Sequence, residues 1–293
     1  MPSCVKIQNH ANLLKKVKDK TGLTWIELSQ KLDIHPRTIY YYLKNSKSIS
    51  FYVFKKLCSL ANINYKKFKY TLINHPNEEK TIFFPKLNKK LSEILGALAG
   101  DGHLHLKPYE FSLVGDGILD YPYLNHHISP LLIDQFKTKP TLSQLPNKAL
   151  KLRIYSKKLV FFINTHYFHP IGKKKNKLHI PPCILSNYSF LKCYIRGLFD
   201  TDGSFYGRRK NEPVIEIISK DDTHILEIQH ALSQLDFSFG RSGKNLSLYN
   251  KHQIHNFFKE IRPHNLKHLI KYHLYQATGK IIKTQELRNI MHR

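Results

Sequence analysis

Two stretches of the chain, about a hundred positions apart, share one pattern of apolar and small residues ending in Asp-Gly. They are ILGALAGDG at 94–102 and IRGLFDTDG at 195–203. In each stretch two small residues are spaced by four, which puts them on one face of a helix. Small side chains on that face let two helix backbones approach closely. The pattern therefore predicts a helix–helix interface at Gly96, Gly100, Gly197 and Thr201.

Each predicted helix ends at an aspartate, Asp101 in the first stretch and Asp202 in the second. A carboxylate is disfavoured at a helix C-terminus, and two neighbouring carboxylates repel each other. Divalent cations would neutralise such a pair, and oxygen-only ligands suit Mg²⁺. Asp-Gly after one helix is a common stop signal, but two copies in matching repeats favour a shared metal site for phosphodiester hydrolysis.

The segments after the two motifs repeat the same order of elements, helix-strand-strand-helix-strand-strand-helix. Strands and helices alternate within each half, so the expected fold class is α+β with two pseudo-symmetric halves and antiparallel, saddle-like sheets. A small all-α domain precedes them. The expected domains are 1–75 (helix-turn-helix), 76–88 (linker), 89–187 (first half), 188–275 (second half) and 276–293 (basic C-terminal tail).

The N-terminal segment reads as helices only, from about residue 11 to residue 70. Thr24 and Ser50 are expected N-caps, and Pro36 suits the first turn of a helix. The stretch LSQKLDIHPRTIYYYL has the spacing of a helix-turn-helix, in which the second helix reads the major groove. A small helical bundle used for dimerisation is the alternative. The residues expected to pack the two helices together are Leu28, Leu32, Ile34, Ile39 and Leu43.

The chain carries 47 lysines and arginines against 21 aspartates and glutamates, a formal net charge of +26. Folding does not need this excess, which costs self-repulsion. A polyanionic partner explains it, and double-stranded DNA is the first candidate; an anionic membrane surface or plain solubility is the alternative. The expected DNA-contacting residues are Arg37, Thr38, Tyr40, Tyr41 and Lys44 in the N-terminal segment and Lys151, Arg153, Arg208 and Arg209 in the two halves.

The remaining composition predicts few other binding sites. The four cysteines are scattered without a C-x-x-C pair, which argues against a structural zinc site or a disulfide scaffold. The 18 histidines are expected to be ordinary surface or partly buried residues. No signal peptide or membrane span is predicted. We expect a cytoplasmic monomer that contacts no membrane and binds no small-molecule cofactor.

With these residues in view, the two motifs resemble those of the LAGLIDADG homing endonucleases of the single-chain, double-motif type found in archaea and in inteins. The resemblance covers about residues 89–275, and the N-terminal segment resembles the Cro/repressor-type helix-turn-helix. The resemblance implies that Asp101 and Asp202 bind catalytic Mg²⁺ ions, with the backbone carbonyls of Gly100 and Thr201 as further ligands. It also implies that Lys220, after the second strand of the second half, lies near the scissile phosphates.

Two positions depart from the symmetry of the motifs. The first-half stretch that corresponds to Lys220, FSLVGDGILD at 111–120, offers no lysine, which suggests asymmetric cleavage, nicking or lost activity. Asp200 has no acidic counterpart in the first half, where Ala99 stands, and is expected to be structural.

The expected function is a Mg²⁺-dependent, site-specific endonuclease that cuts both strands of duplex DNA. The ends of the sequence, MPSC and IMHR, lack the residues that protein splicing uses, so a freestanding protein is expected. Two alternatives stay open: a DNA-binding transcriptional regulator that keeps the fold without cleaving, and an RNA maturase.

Overall fold

The computed structural model describes residues 4–7, 10–44, 49–65, 70–73, 82–209 and 212–292. The chain divides into two compact units, 1–79 and 80–293. The predicted linker at 76–88 lies partly outside the described residues, and the finer domain boundaries stay predictions.

The described residues of the first unit contain four α-helices and a three-stranded sheet. Thr24 caps the second helix in a capping box with Glu27, Pro36 begins the third, and Ser50 caps the fourth through the backbone N–H of Val53, as predicted. The helices are α1 (His10–Thr21), α2 (Trp25–Leu32), α3 (Pro36–Leu43) and α4 (Phe51–Leu60), and the strands are β1 (Cys4–Ile7), β2 (Ile49–Ser50) and β3 (Tyr70–Ile73).

The predicted contact between α2 and α3 is present. Leu28, Leu32 and Ile39 are fully buried, and Ile34 and Leu43 pack against the same cluster. The all-helical prediction misses the sheet, in which β1 lies between β2 and β3. Residues 66–69 of the predicted last helix lie outside the described residues, and 70–73 form a strand that pairs with β1.

The second unit begins with the first half of the predicted repeat. Its elements are α5 (Lys89–Ala99), β4 (Gly102–Leu106), β5 (Tyr109–Gly115), a π-helical stretch (Tyr123–Ile128), α6 (Ser129–Phe136), β6 (Thr141–Gln144), β7 (Leu150–Tyr155) and α7 (Lys157–Tyr167). The short helix α8 (Pro182–Leu185) connects it to the second half.

The second half repeats this order. Its elements are α9 (Tyr188–Asp202), β8 (Gly203–Gly207), β9 (Pro213–Ile218), α10 (Asp222–Gln234), β10 (Gly240–Ser242), β11 (Asn245–Leu248) and α11 (Lys251–Ile261). Two helices follow, α12 (Leu266–Thr278) and α13 (Thr284–Met291), so part of the predicted basic tail is helical. No helix in the described part of the chain is both long enough and apolar enough to span a membrane.

The two sheets have the same antiparallel topology, which confirms the predicted α+β fold with two pseudo-symmetric halves. Their strand orders are β4-β5-β7-β6 and β8-β9-β11-β10. In each sheet one edge strand, β4 or β8, starts directly after the aspartate of the motif. The sequence did not predict β4. One hydrophobic core runs through both halves, with α5 and α9 at its centre. The topology therefore brings the C-terminal ends of both motif helices to the start of a sheet.

Candidate functional site: a pair of aspartates between two sheets

The two motif helices touch backbone to backbone at the predicted glycines. A Cβ atom added to Gly96 would lie 2.0 Å from the Tyr194 carbonyl oxygen, and one added to Gly197 would lie 2.1 Å from the Glu93 carbonyl oxygen. Real Cβ contacts are never this short, so only glycine permits this approach at either position.

At the C-terminal ends of the helices, the two motif ends meet. A Cβ on Gly100 would lie 2.0 Å from the Thr201 hydroxyl oxygen and 3.3 Å from the Asp202 carboxyl carbon. The Thr201 hydroxyl donates to carbonyls of its own helix, at Gly197 and Leu198, both at 3.0 Å. The structure therefore brings the second motif's aspartate against the end of the first motif's helix.

The two aspartates have perturbed pKa values. Burial and then the neighbouring Asp101 raise the pKa of Asp202 to about 7, against the lowering influence of Lys174. The side chain of Asp101 is open to solvent, but the protein around it still desolvates it enough to raise its pKa, while Lys267 lowers it. Each carboxylate thus lacks full compensation for its charge, which is typical of functional sites.

Lys174 is a component of this site that the sequence analysis did not find. Its ammonium donates to the carbonyls of Leu98 at 3.3 Å and Ala99 at 2.9 Å, and also to the carbonyl of Gly100. These are the last carbonyls of α5, which have no partner within the helix. Burial lowers the pKa of Lys174, and Asp202 and Asp101 raise it in part. A cation is therefore favourable at the meeting point of the two helices.

Lys267 is a second lysine at the site, also absent from the prediction. It pairs with Asp120 at 2.9 Å and acts electrostatically on both Asp101 and Asp202. The predicted Lys220 is exposed and has a smaller influence on Asp202. The first half has no lysine at 111–120. Lys174 and Lys267, which come from other segments, supply positive charge next to the acid pair instead.

Lys174 and Lys267 occupy comparable places in the two halves. The last helix of each half ends in a left-handed residue, Phe168 after α7 and Arg262 after α11, both with φ of 55°. The lysine follows that residue by about the same distance in each half. The two sequence stretches, HPIGKKKNKL and RPHNLKHL, are only weakly similar. An alignment of the two halves that continued beyond α7 and α11 would have revealed that the two lysines correspond.

The site residues fit a hard divalent ion. The donors are the carboxylates of Asp101 and Asp202 and the carbonyls of Gly100 and Thr201, which are all oxygen atoms. The pair is also electrostatically unfavourable without a cation, and an ammonium group already contacts one of the predicted carbonyl ligands.

Asp200 fixes the backbone of a neighbouring segment. It is fully buried, and its carboxylate accepts from the backbone N–H groups of His264, at 2.9 Å, and Asn265, at 3.0 Å. The Asn265 side chain in turn donates to Asp120 at 2.7 Å. Asp200 therefore fixes the segment that carries Lys267 to the acid pair.

The two predicted basic residues of the first sheet are partly exposed, and one of them is paired with a buried acidic residue. Lys151 and Arg153 alternate with buried residues along β7, but Lys151 is paired with Glu110 at 2.7 Å. Arg153 stacks on Tyr155, with 5.5 Å between the guanidinium and the ring centre. The positive charge of this sheet is smaller than the sequence suggests.

In the second half, Arg208 and Arg209 are exposed directly after β8, and Arg208 lies over the ring of Tyr249 at 5.6 Å. In the first unit, Arg37, Tyr40 and Lys44 are exposed on or next to α3, and Thr38 and Tyr41 are half-buried. The structure thus places these candidates at exposed or half-exposed positions on or next to α3 and directly after β8.

Asp116, at the first-half position that corresponds to Lys220, has a partner from the C-terminal helix. Arg288 on α13 donates to Asp116 through both guanidinium Nη atoms, one of them at 3.1 Å. Leu287 is buried beside it. The predicted basic tail is therefore attached to the first half through this ion pair.

We expect divalent-ion binding at the acid pair to depend on pH. Since the pKa of Asp202 is raised to about 7, the carboxyl is protonated below that pH, and a metal ligand must be deprotonated. The affinity of the protein for Mn²⁺ should fall about tenfold per pH unit below about pH 7 and level off above it. Calorimetric titrations across this range would measure it, and a pH-independent affinity would contradict the raised pKa.

The solved structures that resemble this chain share little sequence identity with it. Mesophilic variants of the homing endonuclease I-DmoI share 17% identity at a TM-score of 0.43, over 59% of this chain and 94% of theirs. I-DmoI in complex with DNA and Mn shares 18% identity at a TM-score of 0.42, over 59% of this chain and 96% of that one. Full-length DUF199/WhiA from Thermatoga maritima shares 15% identity at a TM-score of 0.46, over 73% of this chain and 69% of that one. No curated protein sequence matches the chain.

Two protein-family models match parts of the chain. Residues 189–262, which contain the second motif helix and the second sheet, match the LAGLIDADG-like domain. Residues 14–68, which contain α2 and α3, match the helix-turn-helix family. The chain therefore contains one segment that matches a LAGLIDADG-like domain and an N-terminal segment that matches a helix-turn-helix domain.

Proposed function

We propose that the protein is a divalent-metal-dependent endonuclease that hydrolyses one phosphodiester bond in each strand of a specific DNA duplex. The observation that carries this proposal is the electrostatic interaction of Asp101 with Asp202 at the ends of two helices in backbone contact. Each aspartate directly precedes the edge strand of one antiparallel sheet. A duplex lying along both sheets would have one strand near each half.

The chain's own residues supply binding and charge. Asp101, Asp202 and the carbonyls of Gly100 and Thr201 would hold Mg²⁺, which supplies an activated water and stabilises the leaving oxygen. Lys174 and Lys267 both lower the pKa values of Asp101 and Asp202, and their positive charge would oppose the charge that develops on the phosphate. Asp200 acts indirectly, because it holds the backbone that carries Lys267.

Cleavage of a randomised duplex library, followed by sequencing of new ends, tests this function. We expect recurrent ends in both strands that require Mg²⁺ and that define the recognition site. The helix-turn-helix domain would add contacts to DNA, so a longer protected site should appear in footprinting of the full chain than in the second unit alone. Tight binding of the library with no new ends would contradict the endonuclease proposal.

A second candidate is a DNA-binding regulator that keeps the fold without cleaving. The observation that favours it is the contact of Lys174 with the Gly100 carbonyl, which puts an ammonium group on a predicted metal ligand and lowers the pKa of both aspartates in part without any metal. Against it, both aspartates of the predicted metal site are present. In the library experiment a regulator would enrich a bound sequence without producing ends.

Replacing both Arg208 and Arg209 by alanine should weaken DNA binding and its dependence on salt. Both side chains are exposed, and if each contacts one phosphate, the slope of log K against log salt should shrink by about 2. The control replaces Lys90 and Lys192, which are already paired with Asp134 and Glu260. Equal slopes for the two double variants would show that the arginines contact no phosphate.

A further inference from the structure

A second cluster of potential metal ligands lies on the motif helix, away from the acid pair. Glu93 is buried on α5, eight residues before Asp101 and therefore about 12 Å away along the helix axis. One carboxylate oxygen, Oε1, contacts His127 Nε2 at 2.5 Å and His264 Nδ1 at 2.7 Å. The three ligand atoms lie within 4.8 Å of one another. Neither the spacing of the histidines nor the motifs predicted this cluster.

We propose that Glu93, His127 and His264 bind a Zn²⁺ ion. Two imidazole nitrogens and one carboxylate oxygen form a ligand set that suits zinc, whereas the all-oxygen acid pair suits Mg²⁺. Three protein ligands leave one coordination position for water. This inference goes beyond the nuclease proposal and does not depend on DNA cleavage.

The surroundings of the cluster support a metal site. Arg196 donates to the other carboxylate oxygen of Glu93 at 3.1 Å, which orients the carboxylate as an outer partner of a metal ligand does. The centres of the two imidazole rings lie 4.0 Å apart and their planes are tilted by 40°, so both rings can turn toward one ion. The histidine side chains are 25% and 37% exposed, which gives an ion a path from solvent.

The π-helical stretch and a buried tyrosine next to the cluster also support a metal site. His127 belongs to the π-helical stretch, a rare element that is common at functional sites. The buried hydroxyl of Tyr123, whose ring stacks on His127 at 5.6 Å, has no hydrogen-bond partner among the described residues. A buried polar group without a partner is often explained by a bound water or ion.

The ligand atoms would move slightly when zinc binds. Two ligands of one tetrahedral zinc ion lie about 3.3 Å apart, so the present contacts of 2.5 and 2.7 Å would open by less than about 1 Å. Rotation of the partly exposed imidazole rings can provide this. The ion would then link α5 and the π-helical stretch of the first half to the segment that carries Lys267.

Titration of the chelator-treated, full-length protein with Zn²⁺, and with Co²⁺ as a coloured probe, tests the site. In an Asp101→Asn/Asp202→Asn background, which removes the acid pair as a second divalent-ion site, we expect one ion per chain and the intense visible absorption of four-coordinate Co²⁺. His127→Ala and His264→Ala should each weaken binding at least a hundredfold, because loss of an outer partner alone costs 10- to 100-fold. His126→Ala, at an exposed histidine next to the site, and Asp134→Asn, at a surface ion pair with Lys90, should leave the affinity unchanged.

The titration has two outcomes that would overturn the proposal. Absence of stoichiometric binding by the wild type would mean that the cluster is only hydrogen-bonded, and equal affinity of the His127→Ala variant would place any zinc elsewhere. Circular dichroism without metal shows whether each variant is folded. If His264→Ala does not fold, His127→Gln serves as the second variant. Because no step requires DNA, failure of the nuclease proposal leaves this test intact.

Discussion

Asp101→Asn and Asp202→Asn are each expected to reduce DNA cleavage at least about a thousandfold while DNA binding is retained. Each substitution keeps the size of the side chain but removes a carboxylate that would hold Mg²⁺. The two residues belong to different halves, yet the motif ends are in contact, so loss of either should affect cleavage of both strands. Cleavage rates for each strand, measured on the duplex recovered from the library, would show this.

Asp134→Asn is the matched control, because that aspartate lies at the surface in an ion pair with Lys90. It should cut at the wild-type rate. The same duplex provides the binding measurement for every variant, at one salt concentration. Cleavage by either site variant at a rate near that of the wild type would show that its aspartate holds no catalytic ion.

Gly197→Ala is expected to destabilise the second unit by about 3 kcal/mol or more, at the upper end of overpacking costs. The new Cβ would lie 2.1 Å from the Glu93 carbonyl oxygen and 2.8 Å from the Ala97 nitrogen, so the two motif helices must separate. Alanine gains about 1 kcal/mol over glycine in an unconstrained helix. The steric cost exceeds that gain because both contacted groups are backbone atoms in the centre of the core.

Gly240→Ala is the control for this substitution, since its Cβ would meet only one atom, at an ordinary 3.8 Å. Its effect should stay below about 1 kcal/mol. Far-UV circular dichroism during chemical denaturation is the suitable signal, because the single tryptophan, Trp25, lies in the first unit. Unchanged stability of Gly197→Ala would contradict close helix contact at this position.

The sequence predicted the motif helices and the repeat of the two halves because both depend on local patterns. Spacing by four identified Gly96 and Gly197, and the repeated order of helices and strands predicted two similar sheets, although β4 was not located. Caps were equally local, since Thr24 and Ser50 bond to residues three positions ahead. Such signals can be read from a few neighbouring residues.

The residues that the sequence did not reveal depend on contacts between distant segments. Lys174 reaches the end of α5 from 74 positions away, and His264 contacts Glu93 across 171 positions. Neither residue stands in a motif that resembles a site, and only the folded chain brings them into place. The sheet of the first unit was missed for the same reason, because β1 pairs with β2 and β3 across long stretches of helix.

A metal centre shared by both halves requires a ligand from each motif. Titration of Mn²⁺ followed by electron paramagnetic resonance tests it directly, in a His127→Ala background so that the histidine cluster does not contribute. We predict that Asp101→Asn and Asp202→Asn each weaken Mn²⁺ binding at least about tenfold. If Asp101→Asn binds Mn²⁺ as tightly and in the same number as its parent, the two aspartates do not share a site and the account is wrong.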